Sequence, residues 1–237
     1  MNICLFGGAF DPIHRGHLAV ARAAAARFKL DRILFVPSAA PPHKPLHALA
    51  PFADRYAMVA LATSAVKKFI PSDIEFQRAI KARSRVPSYS IDTVRNFRRG
   101  MSKSDSLFFL VGMDAFLGIA TWRQPGDLLR ECQFIVATRP GYSLRRWRAA
   151  MPPRLLPPGS KDQISFIKGG KPATSPAPPR GGAITIRLLD TVHDLNSATA
   201  IRRAVVNRAN LTSSVIPAVA DYIRKRGLYQ EKKDLPG

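Results

Sequence analysis

Short apolar runs alternate with helical segments along most of the chain, and this alternation restricts the folds that it can adopt. Strands are predicted at residues 2–6, 32–36, 74–76, 107–111, 134–137 and 183–189. Helices are predicted at residues 16–28, 52–66, 90–97, 197–207 and 214–226. Strands that alternate with helices form a parallel sheet, and uniformly apolar strands belong in a sheet covered on both faces. The prediction is an α/β fold with a doubly wound parallel sheet and helices on both faces.

The domain organisation follows from length and from one interruption of this pattern. With 237 residues, 46% of them hydrophobic, the chain suits a single domain over residues 1–237. Residues 143–182 contain eight prolines, and residues 143–187 carry nine Lys or Arg against one acid, Asp162. We interpret residues 143–182 as a basic surface insertion, with a contact in a homo-oligomer or with an anionic partner as the alternative. A C-terminal helical segment is expected at residues 196–229.

The net charge of +21 and the pI near 11.0 predict attraction to polyanions such as nucleotides or nucleic acid. No apolar run reaches the roughly 18 residues of a membrane span, and the N-terminus lacks the features of a signal peptide, so a cytoplasmic protein with no membrane partner is expected. Cys4 and Cys132 lie in apolar runs, which favours buried thiols over a disulfide or a zinc site.

The turn after the first strand reads Gly7-Gly8-Ala9-Phe10-Asp11-Pro12-Ile13-His14-Arg15-Gly16-His17. Glycines allow close approach of the backbone, and phosphate binds free N–H groups at such turns and at helix N-termini. His14 and His17 are three residues apart, so they share a face on a helical turn and could donate to a migrating phosphate. The alternative is that one histidine caps the helix while the other packs against it. Asp11 is expected only to cap its own turn.

This turn resembles the HxGH signature of a nucleotidyltransferase superfamily. Six further blocks resemble bacterial nicotinate-nucleotide adenylyltransferases in the same order: VPSAAPPHK, SYSIDTV, GMDAFLGIATW, VATRPGY, NSATAIRRAV and IPAVADYIRKRGLY. The blocks span most of the chain, and the resemblance implies that the sheet is Rossmann-like. The stretch at residues 78–87 departs from the family pattern, because it adds residues before SYSIDTV.

The resemblance also implies functional residues, which it assigns to each substrate. The catalytic residues would be His14, His17 and Arg202. Contacts to ATP would come from Gly7, Gly8, Ala9, Phe10, His14, His17, Ser197, Thr199 and Arg202. Contacts to the mononucleotide would come from Lys44, Ser90, Thr93, Gly112, Asp114, Trp122 and Arg139, with Trp122 stacked on the pyridine ring.

The implied reaction joins ATP and nicotinate mononucleotide to give nicotinate adenine dinucleotide and pyrophosphate, in NAD biosynthesis. Mg²⁺ would accompany ATP and neutralise its triphosphate, and no metal site formed by the protein itself is expected. Two alternatives stay open from the sequence. One is a related nucleotidyltransferase that accepts nicotinamide mononucleotide or phosphopantetheine. The other is a basic, non-catalytic nucleic-acid-binding protein on the same fold.

Overall fold

The computed structural model describes residues 1–42, 48–82, 87–138, 164–167, 184–190 and 196–230. The strands are β1 (Asn2–Gly8), β2 (Arg32–Pro37), β3 (Phe69–Pro71), β4 (Ser106–Gly112), β5 (Gln133–Ala137), β6 (Ile164–Ile167) and β7 (Ile184–Leu189). The helices are α1 (Arg15–Arg27), α2 (Phe52–Thr63), α3 (Ile74–Lys81), α4 (Ser90–Arg98), α5 (Met113–Leu117), α6 (Pro125–Glu131), α7 (Ala198–Val206) and α8 (Pro217–Lys225).

These strands form one parallel sheet in the order β3-β2-β1-β4-β5-β7-β6. Strand β1 lies between β2 and β4, with Gly8 opposite Pro37 and Phe6 opposite Leu110. The order of the strands reverses between β1 and β4, and ligands of such sheets bind beyond the carboxyl ends of the strands at this reversal. The predicted Rossmann-like α/β fold is confirmed, and its topology directs attention to the turns after β1 and β4.

Each face of the sheet carries its own hydrophobic core. On one face Cys4, Phe6 and Phe35 pack with residues of α1, α2, α7 and α8. On the other face Leu5 and Phe109 pack with residues of α4, α5 and α6. Side chains alternate across a strand, so successive residues of β1 enter opposite cores. This double burial explains why the strands are apolar throughout.

The predicted strand at residues 74–76 is wrong, because these residues begin helix α3. The third strand is instead β3, a three-residue edge strand that ends in Pro71. An edge strand tolerates proline because its missing N–H faces away from the ladder. The stretch from Ile74 to Lys81 is rich in Glu, Gln, Arg and Ala, which favour helix, and this preference outweighs its short apolar pattern.

Most of the predicted insertion at residues 143–182 lies outside the described residues. Its described part, Ile164–Ile167, forms strand β6 beside β7 at the edge of the sheet, and the sequence did not predict this strand. Helices α5 and α6 were also missed, and the helix predicted at residues 52–66 ends at Thr63. Cys4 and Cys132 are buried free thiols, as expected.

We predict that Phe35→Ala lowers the free energy of unfolding by about 3–5 kcal/mol, because it leaves a cavity among packed rings. Phe35 is fully buried and contacts the rings of Phe6, Phe10 and Phe69. The matched control is Phe76→Ala, since the Phe76 side chain is 39% exposed and stacks only at the surface on Phe52. Urea denaturation measures both variants, and equal losses would contradict this assignment of the core.

Candidate active site

Strand β1 ends in two glycines that keep side chains out of the crevice. A Cβ on Gly7 would lie 3.3 Å from Cζ of Phe109, and a Cβ on Gly8 would lie 3.3 Å from Cζ of Phe10. Phe10 adopts a φ of 47°, and its ring is buried. The turn therefore offers backbone groups to a ligand, as predicted for Gly7, Gly8 and Ala9, whereas the Phe10 side chain belongs to the core.

The two histidines lie together where this turn enters α1. His14 is the residue before the helix, and its backbone N–H donates to Nδ1 of His17 at 3.2 Å. The two ring centroids are 3.7 Å apart. Phe6 and Phe10 approach the His17 ring edge-on, with centroids at 5.9 and 5.0 Å, and hold its orientation. The His17 side chain thus contributes to the cap of α1, and the phosphate-donor interpretation stays a prediction.

The protonation of His17 follows from these contacts. Burial holds the pKa of His17 well below its ordinary value, and the neighbouring His14 lowers this pKa further. The imidazole is therefore neutral at pH 7. Because Nδ1 accepts the His14 N–H, the one ring proton resides on Nε2. His17 is thus fixed as a neutral donor whose N–H can point at a phosphate oxygen.

The predicted anion-binding group at the start of α7 is tied to the same turn. Nη1 of Arg202 donates to the carbonyl of Asp11 at 2.7 Å, and its Nη2 donates to Oγ1 of Thr199 at 3.3 Å. Ser197 caps α7, with its hydroxyl accepting the N–H of Ala200. A guanidinium, a hydroxyl and a helix N-terminus therefore lie beside the histidine turn, although Arg202 and Asp11 are 191 residues apart in sequence.

The expectation that Asp11 only caps its own turn is wrong. Its side chain is 2% exposed and its Oδ1 accepts the Ala50 N–H at 3.1 Å and the Tyr229 hydroxyl at 2.8 Å. The sequence could not predict this, because both donors come from distant segments. Asp11 instead joins the first turn to the loop before α2 and to the segment after α8.

A cavity of about 420 Å³ opens on the other face of the sheet, beside the ends of β1 and β4. Its walls bring together four of the residues predicted to bind the mononucleotide, namely Ser90, Thr93, Asp114 and Trp122. The indole of Trp122 packs edge-on against Phe109, with centroids 6.3 Å apart. Gly7 and Gly8 line the same cavity, so the turn after β1 separates it from the histidine pair.

Gly112, another residue predicted to bind the mononucleotide, is not in the cavity wall. Gly112 ends β4 and is exposed, and a Cβ there would meet no atom within 4 Å, so the site does not require a glycine at this position. Lys44 and Arg139 lie outside the described residues.

Glu75 is a cavity residue that the sequence did not reveal, because its segment was predicted to be a strand. Its side chain is 7% exposed. Oε1 accepts the Thr93 hydroxyl at 2.8 Å, and Oε2 accepts the Ala39 N–H at 3.2 Å. Burial raises the pKa of the Glu75 carboxyl, and hydrogen bonds from Ser88, Thr93 and Ala39 partly offset that rise. Glu75 therefore fixes Thr93 relative to the loop after β2.

Arg123 and Tyr89 were also missed. Both line the cavity, and the guanidinium of Arg123 lies 4.8 Å from the centroid of the Tyr89 ring, a cation–π arrangement in the cavity wall. The positive charge directly after Trp122 in the sequence is a signal that could have revealed Arg123.

Across the described ranges, no three His, Cys, Asp or Glu side chains are grouped so as to hold a metal ion. The helices in those ranges are also too short or too polar to span a membrane.

Comparison with known proteins identifies the family. The cytidylyltransferase-like family model matches residues 5–218. A probable nicotinate-nucleotide adenylyltransferase of Moorella thermoacetica is 38% identical over 98% of this chain and 94% of its own length. One from Pelobacter propionicus is 37% identical over 98% of this chain and 99% of its own length.

The chain belongs to the nicotinate-nucleotide adenylyltransferase family. The resemblance inferred from the ordered sequence blocks is thereby confirmed. A solved structure of the Plasmodium falciparum nicotinic acid mononucleotide adenylyltransferase, complexed with NaAD, has the same fold, with a TM-score of 0.68. The two chains are 18% identical, and the match covers 96% of this chain and 97% of that one. As a member of this family, the chain is a nucleotidyltransferase.

Glu75 gives the site a testable pH dependence. Because burial raises its pKa above the ordinary value of 4.5, the folded protein keeps this proton to a higher pH than the unfolded chain does. The contribution of Glu75 to stability is therefore largest at acid pH and declines as pH rises through its folded-state pKa. We predict that Glu75→Gln removes this decline, because an amide does not titrate. Urea denaturation from pH 4.5 upward measures the free energy of unfolding of both proteins. An equal dependence of this free energy on pH in the variant and the wild type would contradict the prediction.

Proposed function

We propose that the protein transfers the adenylyl group of ATP to the phosphate of nicotinate mononucleotide, producing nicotinate adenine dinucleotide and pyrophosphate. The observation that carries the proposal is the neutral His17 donor, held at the N-terminus of α1 beside Arg202 and separated from the Trp122 cavity by Gly7 and Gly8. ATP phosphates would occupy the histidine side of this turn, and the mononucleotide would occupy the cavity.

In the proposed reaction an oxygen of the mononucleotide phosphate attacks the α-phosphorus of ATP. The bond from that phosphorus to the bridging oxygen breaks, and its electron pair leaves with pyrophosphate. The attacking phosphate is already anionic at neutral pH, so the reaction needs neither a strong general base nor a covalent intermediate. Positioning and stabilisation of the developing charge supply most of the rate.

The residues at the turn suit this task. The Nε2–H of His17 would donate to a phosphate oxygen, and because the ring is neutral and held by packing, little reorganisation is needed as charge develops. Arg202 would contribute a permanent positive charge to the same phosphates, with Ser197 and Thr199 at the start of α7. His14, beside His17, would be a second imidazole donor to the phosphates.

The cavity suits a mononucleotide that carries a pyridinium ring. An indole face attracts a cation, so Trp122 would stack on the ring. Thr93, oriented by Glu75, would contact the ring substituent, and Ser90 and Asp114 lie in the same wall. Lys44, Gly112 and Arg139 stay predicted mononucleotide contacts on the basis of the family resemblance. Mg²⁺ would enter with ATP as the MgATP substrate, where it neutralises charge on the triphosphate.

We predict that His17→Asn lowers kcat by about 10²- to 10³-fold, because it removes a donor to the transition state. The Asn amide oxygen can still accept the His14 N–H, so the helix cap and the thermal stability should persist. His17→Gln is the matched control, since its longer side chain can place an amide N–H near the position of Nε2 and should retain more activity. Wild-type turnover in His17→Asn would eliminate the proposed role.

The acceptor is tested by pyrophosphate release from MgATP with nicotinate mononucleotide, nicotinamide mononucleotide or phosphopantetheine. We expect the highest kcat/KM with nicotinate mononucleotide. A preference for nicotinamide mononucleotide would support the same reaction with a different acceptor. The absence of pyrophosphate release with every acceptor would contradict the proposed function.

A further inference from the structure

The segment that follows α8 folds back onto the turn after β1. After α8 the backbone reverses at Gly227, whose φ is 60°, and Tyr229 follows with a φ of 64°. The Tyr229 hydroxyl then donates to Oδ1 of Asp11 at 2.8 Å. Burial raises the pKa of Tyr229, and the Asp11 carboxylate raises it further, so the hydroxyl keeps its proton and acts as a donor.

Asp11 links Tyr229 to the groups that are proposed to bind ATP. The residue lies between the terminal glycines of β1 and His14, and its backbone carbonyl accepts the Arg202 guanidinium at 2.7 Å. Its carboxylate accepts hydrogen bonds at Oδ1 from Tyr229 and from the N–H of Ala50, while Oδ2 forms an ion pair with Nη1 of Arg202 at 3.7 Å. The carboxylate that Tyr229 contacts therefore also faces the guanidinium of Arg202.

We propose that Tyr229 is a positioning residue for the ATP half of the active site. Its hydroxyl holds the Asp11 side chain, and Asp11 in turn sets the backbone of the first turn and the guanidinium of Arg202. The hydroxyl of Tyr229 reaches these groups through its hydrogen bond to Asp11. This inference rests on the proposed function for its kinetic readout, but not for its binding readout.

The chain contains a matched control for this contact. Tyr222, on α8, donates its hydroxyl to Oδ1 of Asp54 at 2.8 Å, and Asp54 is also buried. Asp54 lies on α2 and takes its second hydrogen bond from Arg226. Both tyrosines thus fasten the C-terminal segment to a buried carboxylate at the same distance, but only the Tyr229 bond reaches the first turn. A purely structural role would change the stability of the protein without a selective change in ATP binding.

The experiment compares Tyr229→Phe with Tyr222→Phe in the full-length protein, since each variant keeps the ring and loses only the hydroxyl. Steady-state pyrophosphate release gives kcat and the separate KM values for ATP and nicotinate mononucleotide. Calorimetric titration with α,β-methylene-ATP measures binding of the nucleotide without turnover. Thermal denaturation confirms that both variants fold and compares their stability losses.

We expect Tyr229→Phe to raise the KM for ATP and the dissociation constant of the analogue by about tenfold, the scale of one hydrogen bond to a charged group. We expect kcat to fall as well, and the KM for the mononucleotide to stay unchanged. Tyr222→Phe should leave all these constants at wild-type values. Equal effects of the two variants on ATP, including no effect of either, would overturn the proposal. If the wild-type protein releases no pyrophosphate, the proposed function fails, but weaker analogue binding by Tyr229→Phe alone still supports the positioning role.

Discussion

The burial of β1 on both faces is the constraint on which the rest of the structure depends. Parallel pairing with β2 and β4 fixes the strand at the centre of the sheet, and its alternating side chains enter two separate cores. The order of strands reverses beside β1. The turn that follows β1 therefore borders the crevice at the carboxyl ends of the strands. The position of the turn is thus decided by sheet pairing, before any functional side chain is considered.

This position divides the site into two chemically different halves. On one side of Gly7 and Gly8 lies an apolar cavity with an indole wall, which suits an aromatic ring. On the other side lie imidazole, guanidinium and helix N-termini, which suit phosphate oxygens. A transfer between two substrates needs their reacting atoms to meet at one point, and two small residues at the end of a buried strand leave room for that meeting.

The hydrogen bond from the His14 backbone to His17 both caps α1 and fixes the tautomer of the His17 ring. The bond satisfies a helix-terminal N–H, and at the same time it assigns the single proton of the neutral ring to Nε2. The neighbouring phenylalanine rings lower the polarity around His17 and keep it uncharged. The same contacts therefore stabilise this turn and set the protonation of His17.

The sequence by itself determined the features that depend on local order. Apolar runs specified most strands, and the spacing of His14 and His17 specified a shared face, because helix geometry acts over three or four residues. The same local rules failed for residues 74–76, where helix propensity outweighed a short apolar pattern, and for β6, which forms only by pairing with β7. Only the tertiary structure placed Glu75 against Thr93, Arg202 against Asp11, and Tyr229 against Asp11. These partners lie 18 to 218 residues apart, and sheet pairing and helix packing alone bring them within hydrogen-bond distance.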